Sequence, residues 1–205
     1  GELPQILFME NVPQVHADAN KTDFQNWIDF LTGLGYVSYW QDLNAKNYGV
    51  AQNRNRCFMF SFLGEFNYKF PKPIPLEKRL KDYLEDSVDE KYFYKKDFEI
   101  LDMSKRVCAE LKVNSMEMNR RIYNPDFKCC TLTCINGGYH EKKVLDSGRP
   151  RKLTEVEYER LQGLPDNFTK IQLNNRWLSY SKRCSLMGNG WNEPTVEWIL
   201  SGLRE

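Results

Sequence analysis

The sequence has no long apolar run, no initiator methionine, no patterned cysteines and no internal repeat or low-complexity segment. None of its apolar stretches approaches the roughly 20 residues of a membrane span, and no signal peptide opens it, so an intracellular protein without a membrane partner is expected. The six cysteines (Cys57, Cys108, Cys129, Cys130, Cys134 and Cys184) are irregularly spaced in a chain of 205 residues, which is large enough to fold without staples. They read as free thiols in a reducing compartment. Cys130, Cys134 and His140 match no common zinc spacing and have no evident fourth ligand, so no metal is expected. Nor is there a large charge imbalance. The formal charge of +1 averages unlike segments, because beyond Ser104 basic residues outnumber acids: Lys105, Arg106, Lys112, Arg120, Arg121, Lys128, Lys142, Lys143, Arg149, Arg151 and Lys152. Such an excess suits either a solvated face or a phosphate-lined partner.

What is present begins abruptly. Gln5–Met9 reads as a buried strand almost at once after Gly1, and an interior strand needs neighbours on both sides, so a preceding segment is expected. Phe24, Trp27, Ile28 and Leu31 then recur at helical spacing, with Thr22 or Asp23 as cap and Gly33 and Gly35 as stop. Tyr36–Tyr39 and Arg56–Phe62 read as further strands, giving the rhythm of a doubly wound α/β sheet. Pro71, Pro73 and Pro75 break that rhythm, and as far as Pro150 the pattern is loop-rich, with one short helix around Leu76–Leu84 and a turn at Asn136-Gly137-Gly138. Regular structure returns where Thr154-Glu-Val-Glu157 forms a capping box that opens a helix through Leu161. A last helix starts at Pro194 and is expected to bury Val196, Ile199, Leu200 and Leu203.

Four polar clusters punctuate this frame. Glu10-Asn11-Val12 follows the first strand. Gln52-x-Arg54-x-Arg56 runs into the third. Arg151-x-x-Thr154-x-x-Glu157-x-x-Arg160-Leu161-Gln162-Gly163 spans the capped helix, and Gly188-Asn189-Gly190-Trp191 precedes the last helix. Taken singly, each has an ordinary structural explanation: a solvated acid, a charged strand entrance, a helix cap, a core tryptophan. In this order and at this spacing they resemble the C-terminal motifs of the DNA cytosine-5 methyltransferase family. The likeness covers nearly the whole chain except the proline-bounded middle, where that family carries its target-recognition domain.

The resemblance implies an α/β fold: the C-terminal part of a doubly wound, Rossmann-like methyltransferase sheet plus a small irregular mixed target-recognition domain. Its domain limits would be 1–70 for the second half of the catalytic domain, 71–150 for the recognition domain, and 151–205 for a helical return. It implies methyl transfer from S-adenosylmethionine to C5 of a flipped cytosine in double-stranded DNA. Carbon 5 of cytosine is a poor nucleophile, and the family activates it by adding a cysteine thiolate to C6. Negative charge then builds toward N3, where a carboxyl group must donate or share a proton. Glu10 matches that carboxyl group. Arg56 matches the arginine expected near the base's O2, Arg54 the one lining the same pocket, and Gln52 a brace for the loop. A guanidinium offers fixed, always-charged donors for such work.

Asn189 and Trp191 match the motif that closes over the cofactor, although Gly-Asn-Gly-Trp stands where Gly-Asn-Ser-Val is commoner, so one hydroxyl contact is lost. Thr154, Glu157, Arg160 and Leu161 are expected to be scaffolding, and Leu164 replaces the usual phenylalanine. In the middle module, Thr131, Thr133, Gly137 and Gly138 are the expected base readers, because short hydroxyls and glycines approach base edges closely. Arg120, Arg121 and Lys128 are the expected phosphate contacts.

The family's Pro-Cys loop and its first glycine-rich cofactor loop have no counterpart in this sequence, and no cysteine here follows a proline. The chain is therefore expected to be inactive alone, a truncated piece or one subunit of a split enzyme whose N-terminal half is a separate partner. Two alternatives stand beside this one: a non-catalytic DNA-binding subunit, and an RNA cytosine-5 methyltransferase. The setting implied is a bacterial or phage-type cytoplasm, where restriction–modification enzymes work.

Overall fold

The structure, a computed structural model, describes residues 2–203. It opens with strand β1 (Ile6–Asn11), helix α1 (Lys21–Gly33), and strands β2 (Tyr36–Asn44) and β3 (Asn55–Leu63). Helix α1 buries Phe24 and Leu31. Its N-cap is Asn20 rather than Thr22 or Asp23, and it stops where Gly35 takes a φ of +90°.

Sheet order is β1-β3-β2, with β3 antiparallel to both neighbours. A parallel doubly wound rhythm does not anticipate that insertion, which the loop 45–54 allows by returning the chain between the two earlier strands. Central placement explains the composition of β3: Cys57, Phe58, Met59, Phe60 and Phe62 are all buried because both faces of the strand are covered. Strand β1 is less enclosed than its apolar run suggests. Leu7–Glu10 are only half-buried, and among the described residues β1 pairs with β3 alone.

The middle of the chain is more regular than its periodicity indicates. A single 3₁₀ turn at Leu80–Tyr83 replaces the expected helix. Strands β4 (Phe98–Ile100) and β5 (Val107–Leu111), a helical turn α2 (Glu117–Arg120), and strands β6 (Arg121–Tyr123), β7 (Lys143–Asp146) and β8 (Arg149–Lys152) follow. The five strands form one curled sheet in sequence order, antiparallel except for β6 beside β7. Strands of three to five residues are too short to display an alternating pattern.

The C-terminal stretch holds helix α3 (Glu155–Leu161), a hairpin of β9 (Gln172–Leu173) and β10 (Arg176–Trp177), and helices α4 (Tyr180–Asn189) and α5 (Glu193–Ser201). The capping box forms as expected: Thr154 Oγ1 accepts from the Glu157 amide, and Glu157 accepts from the Thr154 amide. In α5, Ile199 is buried and Val196 packs partly, as does Leu203 just beyond the helix, but Leu200 is exposed. One apolar core unites the stretches: Ala45, Val50 and Ala51 meet Cys129, Leu132 and Ile135, and both sets meet Leu161, Cys184 and Met187. No helix among the described residues is long and apolar enough to cross a membrane.

Candidate active site

Adjacent antiparallel strands bring the first two polar clusters together. Glu10 sits at the end of β1 in register with Phe58, so the residues entering β3 lie beside it. Glu10 Oε1 forms an ion pair with Arg56, 3.0 Å from its Nε, and lies 4.0 Å from Arg54 Nη2. The Glu10 and Arg56 side chains keep a small exposed fraction, 13% and 15%, while Arg54 keeps 3%. The three groups expected to form the base pocket are thus mutual neighbours at one partly open site.

Arg54 is held by backbone carbonyls. Nη2 donates to Gly190 at 2.7 Å and to Gly188 at 3.3 Å, and Nη1 reaches Gly188 and Leu132. Burial, followed by the charge of Arg56, lowers its pKa to about 10, against the opposing influence of Glu10 and Cys134. Its Nε is buried without an acceptor among the described residues.

Three buried amides brace this arrangement. Gln52 Nε2 donates to the Leu161 carbonyl at 2.8 Å and to Gln162 Oε1 at 3.1 Å, while its Oε1 accepts from the Leu132 amide. Gln162 passes the link on to the Met187 and Gly190 carbonyls, and Asn192 Nδ2 donates to Leu161 O and Gln162 Oε1. Sequence reasoning assigned nothing to Gln162 or Asn192. Asn192 had a legible signal, an Asn two residues before Pro194 that caps α5; Gln162 had none outside the motif that contains it.

The Gly188-Asn189 pair closes against the middle module. A Cβ on Gly188 would lie 2.5 Å from the Thr133 carbonyl carbon and 2.6 Å from the Cys134 amide nitrogen, so only glycine permits this approach. The two expected cofactor residues face different ways. Asn189 Oδ1 accepts from the Cys134 thiol at 2.8 Å and lines a groove of about 450 Å³ with Ile135 and Asn136. Trp191 is 49% exposed, meets Phe8 edge-on at 5.2 Å, and lines a mostly apolar groove of about 660 Å³ with Leu164, Phe168 and Val196.

The middle module splits the expected DNA contacts into distinct groups. Thr133, Gly137 and Gly138 are exposed, whereas the Thr131 hydroxyl donates to the Asn53 carbonyl and so ties the loop to the segment that leads into β3. Arg121 is bound at both ends of its guanidinium to Glu117, and Arg120 pairs with Glu110. Lys128 is different: burial and then the cations Lys46 and Arg106 lower its pKa. Lys46, which carried no signal in the sequence, joins a convergence of positive charge there. The basic excess beyond Ser104 is only partly a surface. Lys143 and Arg151 are buried, and Arg149 pairs with Glu90.

Motif residues of α3 are structural. Arg151 donates to both Glu157 oxygens at 2.8 Å and to Asp146 at 2.6 Å. Arg160 donates to the Leu84 carbonyl and pairs with Asp166. His16, Asp42 and Cys57 bring three potential metal ligands within 4.8 Å of one another. His16 already pairs with Asp42 at 2.9 Å, and burial, with Asp42 and Glu10 adding, pushes the Cys57 thiol up to about 12. That trio reads as a hydrogen-bonded histidine–carboxylate pair over a protonated thiol.

The model of the C-5 cytosine-specific DNA methylase family matches residues 2–203. Type II methyltransferase M2.ScrFI of Lactococcus lactis subsp. cremoris is 37% identical over 206 residues, covering 98% of this chain and 54% of that protein. Type II methyltransferase M.HaeII of Haemophilus aegyptius is 28% identical over 202 residues, covering 98% of the chain and 61% of its own length. The chain thus spans little more than half of these relatives. Among solved structures, the Entamoeba histolytica methyltransferase EhMeth superposes with a TM-score of 0.70 at 20% identity, over 98% of this chain and 64% of its own.

Proposed function

The chain belongs to the C-5 cytosine-specific DNA methylase family, and from that membership we propose that it is the base-holding and DNA-reading half of a DNA cytosine-5 methyltransferase. The observation that carries this reading is the meeting of Glu10, Arg54 and Arg56 at one partly open site. Glu10 holds or shares the proton needed at N3 of a flipped cytosine. Arg56 supports Glu10 and offers its remaining N–H groups to O2, and Arg54 rigidifies the wall through Gly188, Gly190 and Leu132. Preorganised donors of this kind stabilise charge that develops on the base during reaction.

An exposed indole over an apolar groove suits an adenine ring, so Trp191, with Phe8 beneath it, is assigned to hold S-adenosylmethionine, with Asn189 at the neighbouring turn. When bound, S-adenosylmethionine supplies the electrophilic methyl group. The nucleophilic thiol belongs to a second polypeptide segment. The unpaired edge of β1, the exposed Trp27 and Phe30, and the span of little more than half the relatives' length support such a complement. Residues 71–150 form the recognition module, in which Thr133, Gly137 and Gly138 read bases on a loop anchored through Thr131, while Lys128 with Lys46, and secondarily Arg120 and Arg121, hold phosphates.

The test is radiolabelled methyl transfer to duplex DNA and to tRNA, by the chain alone and with the polypeptide encoded directly upstream. Transfer to DNA only when both are present is the expected result. Transfer to tRNA instead would return the RNA alternative, and no transfer by the pair would return a non-catalytic DNA-binding subunit.

A further inference from the structure

The loop 137–142 is built around a buried lysine. Lys143 is 1% exposed, yet among the described residues its ammonium forms no ion pair: Nζ donates to the Tyr139 carbonyl at 2.6 Å and to the Glu141 carbonyl at 2.8 Å. The Glu141 carboxylate is engaged by the Tyr94 hydroxyl, whose ring lies 5.7 Å from Nζ. A buried ammonium without a paired anion is costly, and an apolar side chain of the same length would fill this space more cheaply. The bonds it makes are therefore the informative feature, and both end on the backbone of one loop.

That loop is strained where the lysine grips it. Gly137, Gly138 and Tyr139 take successive positive φ values of 87°, 62° and 65°. Left-handed backbone is natural for the two glycines and unfavourable for a tyrosine, which persists there only when its surroundings over-determine it. Further anchors sit at the margins: Ser115 donates to Gly138 O, and the Lys142 amide donates to Tyr158 Oη. At the tyrosine itself, the Lys143 ammonium is the polar group that fixes the carbonyl.

We propose that Lys143 is a positioning residue for sequence recognition, holding the Gly137–Gly138 turn in the one conformation that presents it to base edges. This rests on the reading of residues 131–138 as the base-contacting loop. Lys143 itself touches no DNA, because it is enclosed beneath Tyr94 and Tyr139. A loop preset in its bound shape loses less conformational freedom on binding the right site, and that advantage is absent at wrong sites.

The test compares the wild-type chain with Lys143→Met, using a pool of short duplexes with a randomised centre. Enrichment of a preferred sequence should fall about tenfold or more in the variant, the scale of one lost base contact. Low-salt affinity for bulk duplex should stay within about twofold, because phosphate contacts are untouched. Hydrogen exchange across 137–142 should quicken in Lys143→Met while the strands β5 and β7 keep their protection. If Lys143→Met does not fold, Tyr139→Gly carries the same comparison, since it relaxes the left-handed residue and leaves the lysine in place. A sequence preference kept at wild-type strength by the folded variants overturns the inference, as does an equal loss of specific and bulk affinity. A wild-type chain that enriches no sequence overturns the base-reading assignment beneath it, a distinguishable result.

Discussion

Arg151 and Glu157 meet through two hydrogen bonds of 2.8 Å, and neither side chain has any exposed surface. The pair joins β8 to the first turn of α3, and Glu157 also accepts from the amides of Thr154 and Glu85. Removing one partner leaves the other charged and buried. Arg151→Ala is expected to cost about 3–5 kcal/mol of stability, the usual scale for breaking a buried pair. Arg149→Ala, which releases the exposed pair with Glu90, should cost no more than about 1 kcal/mol. Urea unfolding of the two variants measures the contrast, and similar midpoints would remove Arg151 from the scaffold.

Gly188→Ala is expected to loosen the contact between α4 and the recognition loop. The added methyl group would meet Thr133 and Cys134 backbone, which cannot swing aside as a side-chain end does. Overpacking of this kind costs about 1–3 kcal/mol. Because Cys134 would lose its bond to Asn189, its alkylation by iodoacetamide should also quicken. Unchanged stability together with unchanged Cys134 reactivity would mean that the loop shifts freely.

Much of this arrangement is legible in the sequence, and what is hidden has physical causes. The runs that became α1, β2 and β3 and the capping box at Thr154 announce themselves, because long elements repeat an apolar pattern and caps use few residue types. The five-stranded sheet does not, since β4, β6, β7 and β8 have three or four residues each. Helix α4 was invisible for another reason: it buries Arg183 and Cys184 beside Met187 and Gly188, so its inner face is not an apolar stripe. Arg183 is accommodated by an ion pair with buried Glu159 at 2.8 Å. At the site, the structure brings Glu10, Arg54 and Arg56 together as the motifs suggest, but the carbonyl clamp on Arg54 depends on Gly188 and Gly190, far away in sequence. The basic excess was misleading in part, because charge in a sequence says nothing of which cations fold inward, as Lys143 and Arg151 do.

Glu10→Gln, tested in the completed enzyme, should lower the methylation rate about 10²-fold or more, the scale of lost acid–base assistance. The amide is isosteric with the carboxylate and its oxygen can still face Arg56, so the pocket keeps its shape and DNA affinity should change little. Arg56→Ala should impair turnover as well, with an added loss of flipped-base binding. Single-turnover transfer and equilibrium binding on the same duplex separate the two effects. Near-normal turnover in Glu10→Gln would leave Glu10 as no more than the partner of Arg56.

Phosphate contacts should divide according to what each cation already holds. Lys128 is acted on by the like charges of Lys46 and Arg106, so a phosphate there relieves repulsion as well as gaining a partner. Arg121 already donates to both oxygens of Glu117, at 2.7 Å and 2.6 Å, and must give up that pairing to reach DNA. Each phosphate neutralised by a protein cation contributes about 0.9 to the slope of log affinity against log salt on duplex DNA. Lys128→Ala is therefore expected to reduce the slope by about 0.9, and Lys46→Ala to act similarly, whereas Arg121→Ala should change it by less than about half that amount. All three should weaken binding equally across sequences, because a phosphate carries no base identity. The measurement is a salt titration of duplex binding by each variant. A larger slope change for Arg121 than for Lys128 would place the backbone track along α2 instead of beside Lys46.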